Sequence, residues 1–317
     1  MTRVTALVTG CAGFIGSTLV DHLLEDGHTV IGVDNLRTGN LDNMSLAVKN
    51  SRFKFIEKDI CKEDWGSRIR AEVDIIYHLA AISSVKLSVE NPLLVHRNNV
   101  GSTMNVLEMA RIKDVRRVLF SSSAAVYGNP TEIPISEDTP VAPLSPYAAS
   151  KIAAENYMRA YSRTYDLESV VLRYFNIYGP RQAYSEYSGV VSIFINQALA
   201  GLPIIVDGDG TQTRSFLHVD DTVRATRLAG DTAAAAGVTM NICGEESVSI
   251  NRIAEQVVKS VREAKSEIVH GPARVGDVRH SLGRMAKAHE VLGFTPSVSL
   301  DAGLAETVEW YRNLLKS

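Results

Sequence analysis

Tyr147 and Lys151 are the first candidates for a catalytic pair. They stand four residues apart in the segment Tyr-Ala-Ala-Ser-Lys, a spacing that places both side chains on one face of a helix. Pro146 precedes them, as is common at a helix start. A free tyrosine has a pKa of about 10, and a neighbouring ammonium stabilises its phenolate and moves that pKa towards neutrality. The pair therefore predicts a tyrosine that acts as a general base.

Three serines, Ser121, Ser122 and Ser123, end a predicted strand ahead of this helix. The carboxyl ends of parallel strands face the ligand crevice in open α/β sheets. A serine hydroxyl there can donate to a substrate oxygen and pass its proton towards the tyrosinate. A Tyr-x-x-x-Lys pair can also be an ordinary pair of helical residues. Here it follows a glycine-rich turn, an acidic residue and the three serines along the chain, and this combination favours a catalytic site.

A glycine-rich turn connects the first predicted strand to the first predicted helix. Gly10, Gly13 and Gly16 are spaced as GxxGxxG, which differs from the GxGxxG of many dehydrogenases. Glycines let the backbone approach a pyrophosphate, and the N–H groups of the helix N-terminus then bind it. The alternative is a merely tight turn, and the strand–turn–helix context favours the dinucleotide site.

An acidic residue, Asp34, ends the second predicted strand, 18 residues after Gly16. A carboxylate at this place accepts hydrogen bonds from an adenosine ribose and repels a 2′-phosphate, so we expect NAD rather than NADP. Arg37 lies close by and works against that preference. The alternative is a turn-forming Asp beside Asn35.

These residues need a scaffold of alternating strands and helices. Strands are predicted at 4–9, 29–34, 53–57, 73–78, 117–122 and 169–173, and helices at 15–26, 98–111 and 146–165. Such alternation predicts a Rossmann-type, doubly wound parallel sheet in an α/β protein. We expect residues 1–177 to form the dinucleotide-binding domain and 178–317 a smaller α/β substrate domain. Part of 216–243 is expected to complete the sheet, with a buried strand at 216–219.

Composition excludes several other classes of protein. In 317 residues, 33 basic and 36 acidic side chains give a net charge of −3, which argues against nucleic acid or an anionic membrane as partner. Three isolated cysteines predict no disulfide framework or zinc ribbon. The eight histidines show no HxxxH or HExxH spacing, so no metal is expected. No apolar run could span a membrane, and we expect a cytoplasmic location.

Taken together, the motifs resemble the extended short-chain dehydrogenase/reductase family, and within it the UDP-galactose/UDP-glucose 4-epimerases, including those that act on N-acetylated sugars. The resemblance covers essentially the whole chain. Its segments are TGCAGFIG, VDNLRTGN, HLAA at 78–81, NNV at 98–100, SSSAAVYG, SPYAASK, LRYFNIYGPRQ, GDGTQTR and RVGD at 274–277.

The resemblance implies a role for each matching residue. Ser123, Tyr147 and Lys151 would be catalytic. The cofactor would contact Gly10, Gly13, Phe14, Ile15, Gly16, Asp34, Asn35, Arg37, Thr38, Gly39, Asp59, Ile60, Leu79, Ala80, Ala81, Asn98, Ser121, Tyr147, Lys151, Tyr174 and Phe175. The sugar nucleotide would contact Ser83, Ser123, Tyr147, Asn176, Arg214, Arg274, Asp277 and Ser281. Arg214 and Arg274 would clamp the diphosphate, since a guanidinium fork fits phosphate oxygens.

The implied reaction is NAD-dependent epimerisation at C4 of a UDP-hexose through a transient 4-keto sugar. Related 4,6-dehydratases carry a carboxylic acid pair beside the serine, where this chain has Ala124 and Ala125. The position of Ser281 borders the sugar C2 group in the resembling enzymes, so a small residue there implies that N-acetylated sugars fit as well. The resemblance also implies a homodimer, through helices near 98–111 and 146–165.

Two positions depart from the family pattern, and several functions stay open. Ser215 stands where the family often has an Asp that can brace Arg214, and Asp207 stands where an apolar residue often borders the uracil. A UDP-uronate epimerase or a 4-keto-sugar reductase of the same fold is an alternative function. A non-catalytic NAD-sensing protein is another, although the intact Ser123, Tyr147 and Lys151 argue against it.

Overall fold

The computed structural model describes residues 3–184, 189–261, 266–273 and 278–316. Its strands are β1 (Thr5–Thr9), β2 (Thr29–Asp34), β3 (Phe53–Glu57), β4 (Ile75–His78), β5 (Arg117–Ser123), β6 (Glu168–Tyr174), β7 (Asn176–Tyr178), β8 (Ile204–Asp207), β9 (Thr213–Arg214), β10 (Phe216–His218), β11 (Thr239–Ile242), β12 (Val248–Ser249), β13 (Ile268–Gly271) and β14 (His280–Ser281). Its helices are α1 (Phe14–Glu25), α2 (Val85–Glu90), α3 (Pro92–His96), α4 (Ser102–Ile112), α5 (Pro146–Tyr165), α6 (Val190–Leu199), α7 (Val219–Asp231), α8 (Ile250–Ser260), α9 (Ala286–Leu292) and α10 (Leu300–Leu314).

A seven-stranded parallel sheet is the frame of the molecule. Its strand order is β11-β6-β5-β4-β1-β2-β3. The reversal of strand order beside β1 places a ligand crevice at the carboxyl ends of the central strands. The predicted Rossmann-type α/β fold is therefore confirmed.

The strands are apolar on both faces because helices cover both sides. Val8 and Leu119 belong to one buried core, whereas their neighbours Leu7 and Val118 belong to a second core on the opposite face. This alternation follows from the two-residue period of a strand. It explains why the sequence reads as continuous apolar runs.

The last strand of the sheet lies within the predicted range 216–243, but it is β11 and not the buried strand at 216–219. β10 pairs in parallel with β7 in a separate two-stranded sheet, and β11 takes the place beside β6. A parallel neighbour needs a crossover that returns the chain to the same edge. α7 packs against α1 and provides that return, so the strand after this helix, not the one before it, completes the sheet.

A third apolar core belongs to the second half of the chain. Phe194, Ile253 and Leu304, from α6, α8 and α10, pack together with the strand β8. Three short strands, β12, β9 and β14, form a further small sheet beside it. The boundary near residue 178 stays a prediction. Within the described ranges, the helices are all too short or too polar to cross a membrane.

Candidate active site

Helix α5 places Tyr147 and Lys151 on one buried face, as their spacing predicts. The helix begins where Ser145 Oγ accepts a hydrogen bond from Ala148 N at 3.2 Å, with Pro146 in the first turn. Tyr147 is buried and Lys151 is only 3% exposed. Lys151 Nζ lies 5.9 Å from the centroid of the Tyr147 ring. The two groups are therefore close enough for the charge of one to act on the other.

The end of β5 completes this cluster. Lys151 Nζ donates to the carbonyl oxygen of Ser121 at 2.7 Å, and the Ser123 side chain is hydrogen-bonded to Tyr147. Ser123 Oγ also accepts from Ala125 N at 3.2 Å. The structure thus brings together the three residues that the sequence predicts to be catalytic.

Burial acts against the ionised forms of both titratable groups. It lowers the pKa of Lys151 to about 7, and Glu155 opposes this shift. It raises the pKa of Tyr147, and the hydrogen bond with Ser123 opposes that shift. Tyr147 therefore needs additional positive charge nearby before it can serve as a base at neutral pH.

We predict that Lys151→Met raises the stability of the fold at neutral pH. Because the unfolded chain holds this proton up to about pH 10, burial of the ammonium costs stability below pH 7, and this cost is lost as pH rises from about 7 to about 10. The variant should be more stable at neutral pH by on the order of 1–3 kcal/mol, and the gain should shrink with rising pH. Denaturant unfolding across this range measures it.

Lys113→Met is the matched control. Lys113 also donates to a backbone carbonyl, that of Ile69 at 2.8 Å, but its side chain is exposed. We expect no pH-dependent gain in that variant. A gain for Lys151→Met that is constant across the pH range would contradict the interpretation.

The glycine turn is a cradle that side chains would fill. Gly10 has a φ of +72°, and a Cβ on it would lie 2.9 Å from the backbone of Ala80. A Cβ on Gly16 would lie 2.0 Å from the carbonyl oxygen of Gly10. Gly13 N donates to that same oxygen at 3.1 Å. Only glycine allows this close approach, which leaves the first turn of α1 open to a phosphate-bearing ligand.

Asp34 lies at the end of β2, beside this turn. Its Oδ2 accepts from Ala12 N at 3.0 Å and its Oδ1 from Leu36 N at 2.8 Å. A Cβ on Gly39 would approach both Ala12 and Asp34. The Asp34 carboxylate therefore forms a local turn with Leu36, which was the alternative to a role in binding the ribose. Through its bond with Ala12 it also holds the glycine-rich turn in place.

A cleft opens from Asp34 along the carboxyl ends of β2, β3 and β4. Arg37 Nη1 donates to Asn98 Oδ1 at 3.3 Å across this cleft. The predicted cofactor residues that line it are Asp34, Asn35, Arg37, Thr38, Asp59, Ile60, Ala80, Ala81 and Asn98. Residues from four separate segments of the sequence therefore line one cleft, and their polar and apolar side chains suit an adenosine.

The other predicted cofactor residues surround the same crevice from different elements. Phe14 and Ile15 begin α1, Leu79 follows β4, and Phe175 follows β6. The hydroxyl of Tyr174 shares a 2.7 Å hydrogen bond with Thr226 Oγ1 on α7, which fixes this ring in the core. Their contacts with a cofactor stay predictions.

Three of the predicted substrate residues, Asn176, Arg214 and Ser281, lie close together around Ser215. Asn176 Nδ2 donates to Ser215 O at 3.2 Å, and Ser215 N donates to Ser281 O at 3.0 Å. Ser281 pairs with Arg214 in the register of β14 and β9. Ser83 is exposed on the loop after β4. Arg274 and Asp277 lie outside the described residues.

Three buried polar residues in the site, His78, Asn99 and Glu155, have no role predicted from the sequence. His78 shares hydrogen bonds with Thr9 Oγ1 at 2.8 Å and Thr103 Oγ1 at 3.1 Å, and burial lowers its pKa to about 3. Asn99 Nδ2 donates to Ser150 Oγ at 2.9 Å. Glu155 lies one helical turn after Lys151, so its position at the next helical repeat is the signal that could have identified it.

Comparisons with known proteins agree with this geometry. The model of the NAD dependent epimerase/dehydratase family matches residues 6–243. A UDP-glucose 4-epimerase of Mycolicibacterium smegmatis is 42% identical over 309 residues, which is 97% of this chain and 98% of that protein.

Two solved structures are similar over nearly their whole length. The UDP-glucose 4-epimerase of Thermotoga maritima, crystallised with UDP-glucose, is 37% identical with a TM-score of 0.93, covering 98% of this chain and 99% of that one. The UDP-N-acetylglucosamine 4-epimerase of Methanobrevibacter ruminantium, in complex with UDP-N-acetylmuramic acid, is 33% identical with a TM-score of 0.93, covering 99% and 100%.

The chain belongs to the NAD-dependent epimerase/dehydratase family, which confirms the resemblance found in the motifs. It is an enzyme of this family, and its cofactor is NAD. The cradle around Gly10 and Gly16 and the cleft beside Asp34 fit a dinucleotide.

Proposed function

We propose that the protein is a 4-epimerase of UDP-hexoses that works through a transient 4-keto sugar. The observation that supports this most is the cluster of Ser123 with the buried Tyr147 and Lys151. Ser123 is followed directly by Ala124 and Ala125. This cluster can move one proton on and off a hydroxyl group. Since the two alanines carry no acid, elimination of water is disfavoured at that position.

The chain's own residues would handle the proton of the sugar C4 hydroxyl. Tyr147 would accept it as the carbonyl forms, with Ser123 donating a hydrogen bond to the substrate oxygen. Lys151 would stabilise the phenolate through its charge. Bound NAD would supply reversible oxidation at C4. Once the keto sugar has turned over, reduction of C4 from its opposite face, with Tyr147 returning the proton to the C4 oxygen, would give the epimer.

The sugar must turn over between the two halves of this reaction, so the nucleotide has to carry the binding energy. We assign Asn176, Arg214, Arg274 and Asp277 to the UDP portion, because guanidinium and amide groups donate to phosphate oxygens and a carboxylate accepts from ribose hydroxyls. A hexose without strong ligands of its own would then rotate on its diphosphate. Relatives that carry UDP-sugars in their names or crystals support this assignment.

The first test is conversion of UDP-galactose by the purified protein with no added NAD. We expect UDP-glucose to appear in the NMR spectrum, since the cofactor returns to its starting state in each turnover and can stay bound. Deuterium at C4 should be retained in the product. Release of free NADH would indicate net oxidation of the sugar and would oppose the proposal. Absence of conversion even with added NAD would contradict the proposal.

We further propose that N-acetylated UDP-hexoses are substrates, and Ser281→Tyr tests this. Ser281 lies beside Arg214 and Ser215 in the small sheet, so a tyrosine there would crowd a substituent at sugar C2. We expect kcat/KM for UDP-GalNAc to fall by at least about tenfold more than that for UDP-galactose. Ser281→Ala, which stays small, should spare both. Equal losses on the two substrates would contradict the proposal.

A homodimer formed through the region of α4 and α5 is also proposed. Exposed apolar side chains, Val89 and Leu93, lie on α2 and α3, which pack against α5. Light scattering at a defined protein concentration would test the dimer, and a monomer at micromolar concentration would contradict it.

A further inference from the structure

A buried ion pair lies directly behind the predicted catalytic residues. Arg173 Nε donates to Glu155 Oε1 at 3.0 Å, and Arg173 Nη2 donates to Glu155 Oε2 at 2.7 Å. The side chains are 1% exposed for Glu155 and 5% for Arg173. A buried ion pair is weak evidence for stability, because desolvation offsets most of its attraction. Its place in this molecule therefore calls for a functional reason.

The carboxylate of Glu155 also holds the strand end that carries the three serines. Ser122 Oγ donates to Glu155 Oε1 at 2.5 Å. Ser122 stands between Ser121, whose carbonyl accepts from Lys151, and Ser123, which bonds to Tyr147. One side chain of α5 is thus fastened to β5 between the two contacts that the catalytic pair makes with that strand.

The partner guanidinium is itself fixed from the other side. Arg173 Nη1 donates to Tyr127 Oη at 2.8 Å, and Tyr127 Oη donates to Asn241 Oδ1 at 2.7 Å. Arg173 is in register with Ser122 across β6 and β5. Both oxygens of the Glu155 carboxylate and all three nitrogens of the Arg173 guanidinium therefore have hydrogen-bond partners, and the carboxylate has little freedom to move.

Among the groups that face Lys151, Glu155 is the one whose negative charge stabilises the Lys151 ammonium. On its own helix Lys151 meets Tyr147, which is neutral before reaction, and Glu155, one turn later. From β5 it meets the Phe120 ring at 4.9 Å and the Ser121 carbonyl. From β4 it meets His78, whose pKa is lowered to about 3, so that ring carries no charge at neutral pH.

We infer that Glu155, held by Arg173, is a positioning residue that keeps Lys151 charged and the Ser121–Ser123 strand end in place, so that Tyr147 can act as the base. This inference rests on the proposed function for its role in turnover. Its effect on the ionisation of Tyr147 does not depend on which substrate is used.

Glu155→Gln removes the charge while keeping the size of the side chain. Lys151 then loses its proton at lower pH, and the Tyr147 phenolate loses its supporting cation. We expect the titration midpoint of that phenolate to rise by about one pH unit. It is read from near-ultraviolet absorbance of the NAD-bound protein, as the difference from the same background with Tyr147→Phe. If the enzyme turns over, kcat at a pH of about 8 should fall about tenfold with KM little changed.

Two companion variants separate this role from a general loss of stability. Glu155→Gln combined with Arg173→Met leaves no guanidinium without its carboxylate, and we expect the midpoint to rise in the same direction. Glu168→Gln is the matched control. Glu168 accepts from Arg117 Nε at 2.7 Å, and the two residues are in register at the opposite ends of the same two strands. It should lower stability without moving the midpoint.

The outcomes are distinct. A raised midpoint in both Glu155 variants, with none in Glu168→Gln, supports the inference even if no variant epimerises a UDP-sugar, in which case only the proposed function fails. An unchanged midpoint in both Glu155 variants would overturn the inference. So would an equal rise in Glu168→Gln.

Discussion

Replacing Tyr147 by phenylalanine is expected to lower kcat by about 10³-fold, because the positioned acid–base group is lost while the fold is kept. Tyr147 is buried, and its hydroxyl meets the Ser123 side chain. Removing one oxygen leaves a small gap and one hydroxyl without its partner. The binding of a UDP-sugar, measured by calorimetry with the NAD-bound protein, should change by less than about tenfold.

Tyr157→Phe is the control on the same helix. Its side chain is 41% exposed, and it lies ten residues after Tyr147 on α5. We expect kcat within about twofold of the parent for this surface change. A comparable activity in Tyr147→Phe and Tyr157→Phe would remove Tyr147 from the reaction.

Gly16→Ala is expected to have the second large effect, the loss of cofactor binding. The new Cβ would lie 2.0 Å from the carbonyl oxygen of Gly10, so the glycine loop has to move away from α1. Overpacking of this kind costs about 1–3 kcal/mol of stability. Loss of aligned N–H donors to a phosphate should weaken NAD binding by about 10²-fold or more. Cofactor content after purification and thermal unfolding measure the two effects.

Gly101→Ala provides the comparison. A Cβ at Gly101 has no neighbouring atom within 4 Å, and the residue precedes α4 in a helical conformation. Alanine there should stabilise the chain by about 0.5–1 kcal/mol by restricting the unfolded state. NAD binding should be unchanged. Retained NAD in Gly16→Ala would show that the loop is not the phosphate cradle.

The elements with local signals could be predicted closely. β2 and β3 have the predicted bounds because each is a compact run of strand-forming residues. α5 has the predicted bounds because Pro146 sits in its first turn and the pattern of apolar residues runs to its end. The strand at the edge of the sheet lies within the predicted range 216–243, but the choice of 216–219 within that range was wrong. The position of the edge strand depends on where α7 packs and not on the apolar character of β10.

The same division holds within the candidate site. Tyr147 and Lys151 could be paired from their spacing, since a helix brings residues four apart onto one face. The contact of Glu155 with Arg173, by contrast, joins a helix to a strand, and Tyr127 and Asn241 meet from positions 114 residues apart. No local pattern reports such contacts, because they depend on how α5 packs on β6 and on the pairing of β11 with β6.

The alternation of strands and helices, the glycine-rich turn, the acid after β2 and the Tyr-x-x-x-Lys pair could all be predicted from the sequence. These features follow from backbone propensities and short spacings that act within a few residues. The packed fold was needed to show which strand completes the sheet, how the cleft residues meet and which buried carboxylate lies behind Lys151. Those outcomes depend on the burial of charges and apolar faces contributed by distant segments, and that burial exists only once the chain has packed.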